Sequence, residues 1–284
     1  MFDYIIAIIA VIWLTAASIS DIKTKEVPDW LNFSLISIGF AIFIFKSIVQ
    51  SSFDPIINSL IGFAIFFAIG NLMYYSRQWG GGDSKLLYGL GVLFYQYPKG
   101  LTTIFNPNIN MPFLAILFLN LLIIGSIYGI LISFSLMIKK RKKFVKQFKK
   151  LNNKTKKITK TLLVLAGLLI ISAFLLTQET QTRTILIIAA VTPLIFFYLL
   201  ISVKAIESIC MYKKIKVSKL VEGDWIAENI KGIYNPKKSI GVTKKQIELI
   251  KKHKQEIIIK EGIAFVPPFL IATIISLIFG NILF

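Results

Sequence analysis

Eight apolar stretches dominate this chain, near residues 2–20, 31–49, 56–75, 84–98, 111–138, 161–178, 184–203 and 263–283, and the segments between them alternate in charge. Of the 33 lysines and arginines, 30 fall in the connections after the first, third, fifth and seventh stretches, counting Lys85 at the edge of the fourth stretch with the third connection, and Lys46, Lys99 and Arg183 lie elsewhere. In lipid every backbone N–H and C=O must be paired within the protein, so runs of this length read as helices. Basic residues on every second connection are the positive-inside pattern, which emerges only when the number and direction of crossings are both right. The pattern predicts an all-α polytopic membrane protein of about eight transmembrane helices, with both chain ends outside. A chain of 284 residues that is 55% hydrophobic yet carries a formal charge of +19 fits, because its charges are segregated from its apolar runs. The first stretch, MFDYIIAIIAVIWLTAASIS, lacks a basic n-region and carries Asp3, so it is expected to be retained as the first helix.

The connections divide the chain into a five-helix membrane core (1–138), a basic cytoplasmic loop (139–160), an additional helix pair (161–203), a small cytoplasmic α/β module (204–262) and a final helix (263–284). In the module, Thr243 and Gln246 form a T-x-x-Q capping box ahead of Ile247 and Ile250, which predicts a short helix; EIIIK then reads as a strand. The run KKRKKFVKQFKKLNNKTKK has the footprint of a phosphate-binding segment. Between two membrane helices, however, topology and attraction to anionic lipid headgroups account for it, at about 1 kcal/mol per basic residue. No nucleic-acid partner is expected. A single cysteine, Cys210, excludes an internal disulfide and a thiolate zinc cluster within the chain, and the lone His253 lies in the module, so no metal and no cofactor are expected. Without a visible internal repeat, a transporter of inverted halves has no support.

Among 14 acidic residues, Asp21 in ASISDIKTKEVPDW and Asp83 in WGGGDSKLL stand at the edges of apolar stretches. Two crossings separate them, which returns the chain to the same face. Each has a plain structural alternative. Asp83 can cap the following helix, with Gly80, Gly81 and Gly82 as an ordinary turn, and Asp21 can end a helix in the headgroup zone. Asp29 reads as a helix N-cap and Glu26 as a solvated acid. Yet the stretch from Ser84 to Pro98 rises only roughly 21 Å, short of a hydrocarbon core of about 30 Å. Either the helix passes Pro98, or it starts below the interface with the three glycines inside the membrane, where they permit close packing. Two carboxylates brought together cannot both ionise, and the shared proton equips them for peptide hydrolysis without a metal: one takes a proton from water, the other donates to the carbonyl. Serine chemistry finds no positioned base in the membrane segments.

Gly80-Gly81-Gly82-Asp83 fits the GxGD signature of membrane aspartic proteases, and its surroundings resemble the archaeal type IV prepilin peptidases, preflagellin peptidases included. Asp21 followed by Val27-Pro28, and Asp83 followed by Lys85, Leu86 and Leu87, match that family's two aspartate motifs. LVEGDWIAENI (220–230) and EGIAFVPPFLIA (261–272) are similar to its cytoplasmic segment and last helix. The resemblance covers 1–138 and 204–284 but not 139–203. It implies that Asp21 and Asp83 are catalytic, that Gly80, Gly81, Gly82 and Lys85 shape the site, and that the substrate is a prepilin or preflagellin losing a short basic leader at the cytoplasmic face. Glu26 and Asp29, beside Asp21, are the acids placed to receive that leader. Presenilin-like proteases share GxGD but pair it with a PAL motif, where this chain has Val266-Pro267-Pro268. A cation or proton transporter would space its acids through the bilayer, whereas these gather at one end. Nothing in the sequence sets the oligomeric state.

Overall fold

The computed structural model describes residues 2–236 and 238–283; Met1, Lys237 and Phe284 lie outside the described residues, and with them the expected placement of the last residue. The helices are α1 (Phe2–Thr24), α2 (Asp29–Gln50), α3 (Asp54–Tyr75), α4 (Gly81–Leu93), α5 (Phe113–Lys139), α6 (Arg141–Lys154), α7 (Lys156–Leu175), α8 (Thr180–Cys210), α9 (Lys244–His253) and α10 (Val266–Phe279). The strands are β1 (Tyr212–Lys216) and β2 (Glu256–Lys260). Among the described residues, six helices, α1, α2, α3, α5, α7 and α8, are long and apolar enough to cross a membrane. The other two apolar stretches form α4, of 13 residues, and α10, of 14, each roughly 20 Å long.

The chain forms two compact units, Met1–Gly129 with Ile215–Phe284, and Ile130–Lys214. In the first, α4 is the most enclosed helix: Leu86, Leu87, Leu90, Val92 and Leu93 are buried from end to end. Helices in lipid gain nothing from expelling water, so they cohere by close contact, and small residues supply it. A Cβ on Gly62 of α3 would lie 2.3 Å from the Gly91 carbonyl oxygen, and one on Gly91 would lie 2.5 Å from that of Gly62. Ser59 Oγ adds a hydrogen bond to the Val92 carbonyl at 3.0 Å. On its other side α4 runs in step with α2 and the turn before it: Gly82 meets Val27 of the turn, and Gly89 meets Leu35 and Val92 meets Gly39 on α2. The start of α1 is secured by Asp3, which accepts the Gly100 N–H at 2.8 Å and lies 3.7 Å from Lys46 Nζ. That pairing explains how the apolar second stretch carries a lysine.

The helix of the 84–98 stretch does not pass Pro98, which removes the first of the two sequence options. It ends at Leu93, well before Pro98, and begins at Gly81, so two of the three glycines belong to the helix and Asp83 sits inside its first turn. The segment read as a basic loop is also helical: α6 occupies most of it, and α7 starts at Lys156. In the second unit α7 and α8 form a hairpin and α6 lies along α8, with Phe148 stacked on Tyr198 at 6.4 Å. The module has a core of its own, including Val217, Ile226, Ile230, Tyr234, Ile250 and Ile257, around the β1–β2 pair. Its capping box forms as read. Thr243 Oγ1 accepts the Gln246 N–H at 3.4 Å, and Gln246 Oε1 accepts the Thr243 N–H at 3.0 Å. EIIIK is β2.

Candidate active site

Asp21 lies in the last turn of α1, where the chain turns away through Lys25 in a left-handed conformation whose N–H closes on the Asp21 carbonyl at 2.8 Å. Its side chain is buried. Oδ2 accepts the Val266 N–H at 2.8 Å, with the Phe265 N–H as a second backbone contact. The sequence accounts for this bond. Pro267 and Pro268 follow Val266 at the start of α10 and have no N–H to offer, so the donors left at that helix end belong to Val266 and Phe265. An acid at a helix N-terminus also meets its favourable pole.

Asp83 is the third residue of α4, and its Oδ2 accepts the Gly80 N–H at 3.1 Å. The N-cap position foreseen for it falls to Gly80, and the Asp83 carboxylate reaches back to that residue's N–H from the third helical position. The loop before it is anchored by Trp79, a buried ring packed against Phe269 at 5.3 Å, Phe265 at 6.1 Å and Phe118 at 6.3 Å. Of the three glycines, Gly82 is the one that close approach demands: a Cβ there would stand 3.2 Å from Val27 Cβ, on the turn between α1 and α2. This contact carries Asp83 to Asp21, and the two carboxylates lie within electrostatic reach of each other. Lys25 and Tyr128 of α5 also lie within reach of Asp21.

The remaining residues singled out in the sequence part company. Lys85 Nζ lies 2.6 Å from Asp29 Oδ1 and over the Phe33 ring at 5.4 Å. Asp29 is not a helix N-cap; Pro28 holds that position, and Asp29 is the first residue of α2 with its carboxylate turned to Lys85. Glu26 joins a different group. Desolvation first, and then the charge of Asp224, push its carboxyl above the usual range. Asp224 is pushed up in turn by burial, opposed by the Val221 N–H at 2.8 Å and reinforced by Glu261. The module therefore brings Asp224 to Glu26, with Glu261 beside Asp224. Sequence reasoning missed them, although both lie in the segments LVEGDWIAENI and EGIAFVPPFLIA; it missed Trp79 and Tyr128 as well, which carry no signal beyond being aromatic.

A bundle of apolar helices with two carboxylates in electrostatic reach of each other, one at the end of α1 and one at the start of α4, defines a polytopic membrane protein with a paired-acid site. The profile of the type IV leader peptidase family matches residues 8–134, the part of the chain that holds both aspartates. Three curated relatives agree. The chain is 36% identical over 124 residues to a preflagellin peptidase of Methanococcus maripaludis, which is 42% of this chain and 52% of the relative. It is 34% identical over 106 residues to that of Methanococcus voltae (37% and 45%) and 32% identical over 107 residues to that of Methanocaldococcus jannaschii (38% and 45%). The matched region spans about half the length of these relatives. No solved structure matches the chain significantly.

Proposed function

We propose that this protein is a membrane aspartic endopeptidase that removes the short basic leader from prepilins or preflagellins at the cytoplasmic face of the cell membrane. The observation that carries the reading is the approach of Asp21 and Asp83, each with one oxygen held by a backbone N–H, from Val266 and Gly80 respectively. That arrangement fixes the orientation of both carboxyl groups. Because like charges in contact share a proton, the ionised carboxylate takes a proton from water as the water oxygen attacks the scissile carbonyl carbon. The protonated carboxyl donates to the carbonyl oxygen. Collapse of the tetrahedral diol then breaks the C–N bond: the leaving amine takes a proton from one carboxyl while a diol hydroxyl returns its proton to the other, which restores the pair.

The topology belongs to this proposal: eight crossings, with α4 and α10 as short members enclosed by longer neighbours, both chain ends outside, and the module inside. So does the division into catalytic core, basic segment, added helix pair, module and final helix. The names of the three relatives support preflagellin as the substrate class. Glu26, with Asp224 beside it, is the acid we assign to the basic leader; Asp29 is engaged by Lys85 and is set aside. The lysine-rich face of α6 is assigned to anionic lipid headgroups.

The test is co-expression of the full chain with Methanococcus voltae preflagellin, followed by N-terminal sequencing of the product. Asp21→Asn and Asp83→Asn are each expected to abolish cleavage while leaving the protein folded, since Asn keeps the size and one hydrogen-bonding oxygen. Near-wild-type cleavage by either variant would remove the paired-acid mechanism.

A further inference from the structure

Asn32 of α2 is 0% exposed, and no group among the described residues hydrogen-bonds either end of its carboxamide. The Ser18 hydroxyl of α1, in a residue 5% exposed, is likewise without a partner among the described residues. Burying an amide or hydroxyl unpaired is costly, so a folded chain keeps such groups where ordered water or a function meets them. A leucine at position 32 would fill much the same space and leave nothing unpaired, so packing alone does not call for asparagine there.

The positions of the two groups are informative. Ser18 precedes Asp21 by one turn on the buried face of α1, beside Ala17. Asn32 lies on α2 between two residues that touch α4: Asp29, whose carboxylate meets Lys85, and Leu35, which lies against Gly89. That register sets Asn32 level with Leu86 and Leu87, about one helical turn, or roughly 5 Å, deeper than Asp83. Both unpaired groups therefore lie about one turn further along the bundle than the carboxylates, on the side away from the α1–α2 turn and one from each helix of that hairpin.

We propose that Asn32 and Ser18 form a polar floor beneath the aspartate pair, where they hold a buried water that hydrogen-bonds to the carboxylates, and that Asn32 is a positioning residue for the cleavage reaction. The inference rests on the peptidase reading. A carboxamide offers two donors and an acceptor, and a hydroxyl offers a donor and two acceptor sites. A water between them is bound by both and retains hydrogen-bonding capacity for a carboxylate oxygen. Held from beneath, the pair keeps one orientation while substrate and lytic water occupy its open side.

The test measures kcat, KM and Tm of the full-length protein in membranes or detergent, with Methanococcus voltae preflagellin as the probe. Asn32→Leu removes every hydrogen bond at nearly constant volume; its Tm is expected to equal or exceed that of wild type while kcat falls about tenfold, the rate effect of one lost hydrogen bond, with KM within about twofold. Asn32→Thr restores a donor and an acceptor and is expected to recover most of that loss. Ser18→Ala removes one oxygen from a helix that favours alanine, so kcat is expected to fall severalfold without a drop in Tm. Wild-type kcat in both Asn32→Leu and Ser18→Ala overturns the proposal, as does a defect confined to KM. Should Asn32→Leu fail to fold, wild-type kcat in Ser18→Ala is sufficient to overturn it. Failure of the wild-type protein to cut the probe, or cutting by the Asp21→Asn and Asp83→Asn variants, overturns the peptidase reading and this inference with it. Inactive aspartate variants beside fully active Asn32 and Ser18 variants sink the inference alone.

Discussion

Glu26 and Asp29 are both acidic and nearly adjacent, yet they end in different company. Asp29 pairs with Lys85, and because both side chains are partly exposed the pair contributes at most about 1 kcal/mol. Glu26 faces Asp224, a like charge, and its carboxyl titrates above the usual range for desolvation first and that charge second. A raised carboxyl disfavours the ionised folded chain, so its penalty is fully present above the raised value and disappears as pH falls and the group protonates. Glu26→Gln is therefore expected to raise Tm slightly near neutral pH and to leave it unchanged below about pH 4, where the glutamate is already neutral even unfolded. If Glu26 receives the leader, the same variant raises KM for preflagellin and flattens the rise in KM that wild type shows on acidification. A Tm and KM unchanged at neutral pH would sink the assignment.

Helix α4 owes its place to atoms that are absent. At Gly62 and Gly91 the obstacle to a side chain is a backbone carbonyl, which cannot turn aside as a side chain can. Gly62→Ala or Gly91→Ala is therefore expected to cost about 3 kcal/mol, the upper end for overpacking, and to impair cleavage because α4 carries Asp83. Gly129→Ala and Gly167→Ala meet nothing within 4 Å and are the matched controls. Thermal midpoints in detergent would decide it, and equal values for Gly62→Ala and Gly129→Ala would show the α3–α4 contact to be unimportant. The start of α4 was hard to read from sequence for a related reason. Glycine disfavours helix by about 1 kcal/mol per residue, so GGGD reads as a turn, whereas contact with Val27 and the Asp83–Gly80 hydrogen bond hold Gly81 and Gly82 in helical geometry.

At the scale of the whole molecule, the family match ends at residue 134, and the second compact unit, Ile130–Lys214, begins at almost the same point. Helices α6, α7 and α8 pack on one another, and α8 continues to Cys210, so the added element is longer than the 161–203 pair read from hydropathy. Replacing about residues 140–210 with a flexible linker is expected to leave leader cleavage intact, because both aspartates and every backbone group bound to them lie in the other unit. Loss of cleavage by a variant whose first unit is still folded would make the added helices part of the substrate path.

The sequence by itself determined what depends on neighbours along the chain. Hydropathy runs set the membrane class and located the long apolar helices, the Thr243–Gln246 capping box set the start of α9, and GGGD with the earlier Asp21 and Val27-Pro28 singled out both aspartates as candidates. Only the tertiary structure decided which faces meet. The Val266 N–H that holds Asp21 comes from 245 residues away, the Lys85 that engages Asp29 from 56 residues away, and the acid that perturbs Glu26 from a separate module. Asn32 makes the same point by lacking a protein partner: a single asparagine at the start of an apolar stretch looks ordinary, and its oddity appears once packing has buried it with no group among the described residues in hydrogen-bonding reach. Local hydrogen bonds and transfer energies are properties of a segment, whereas burial, pairing and electrostatic company are properties of the packed whole.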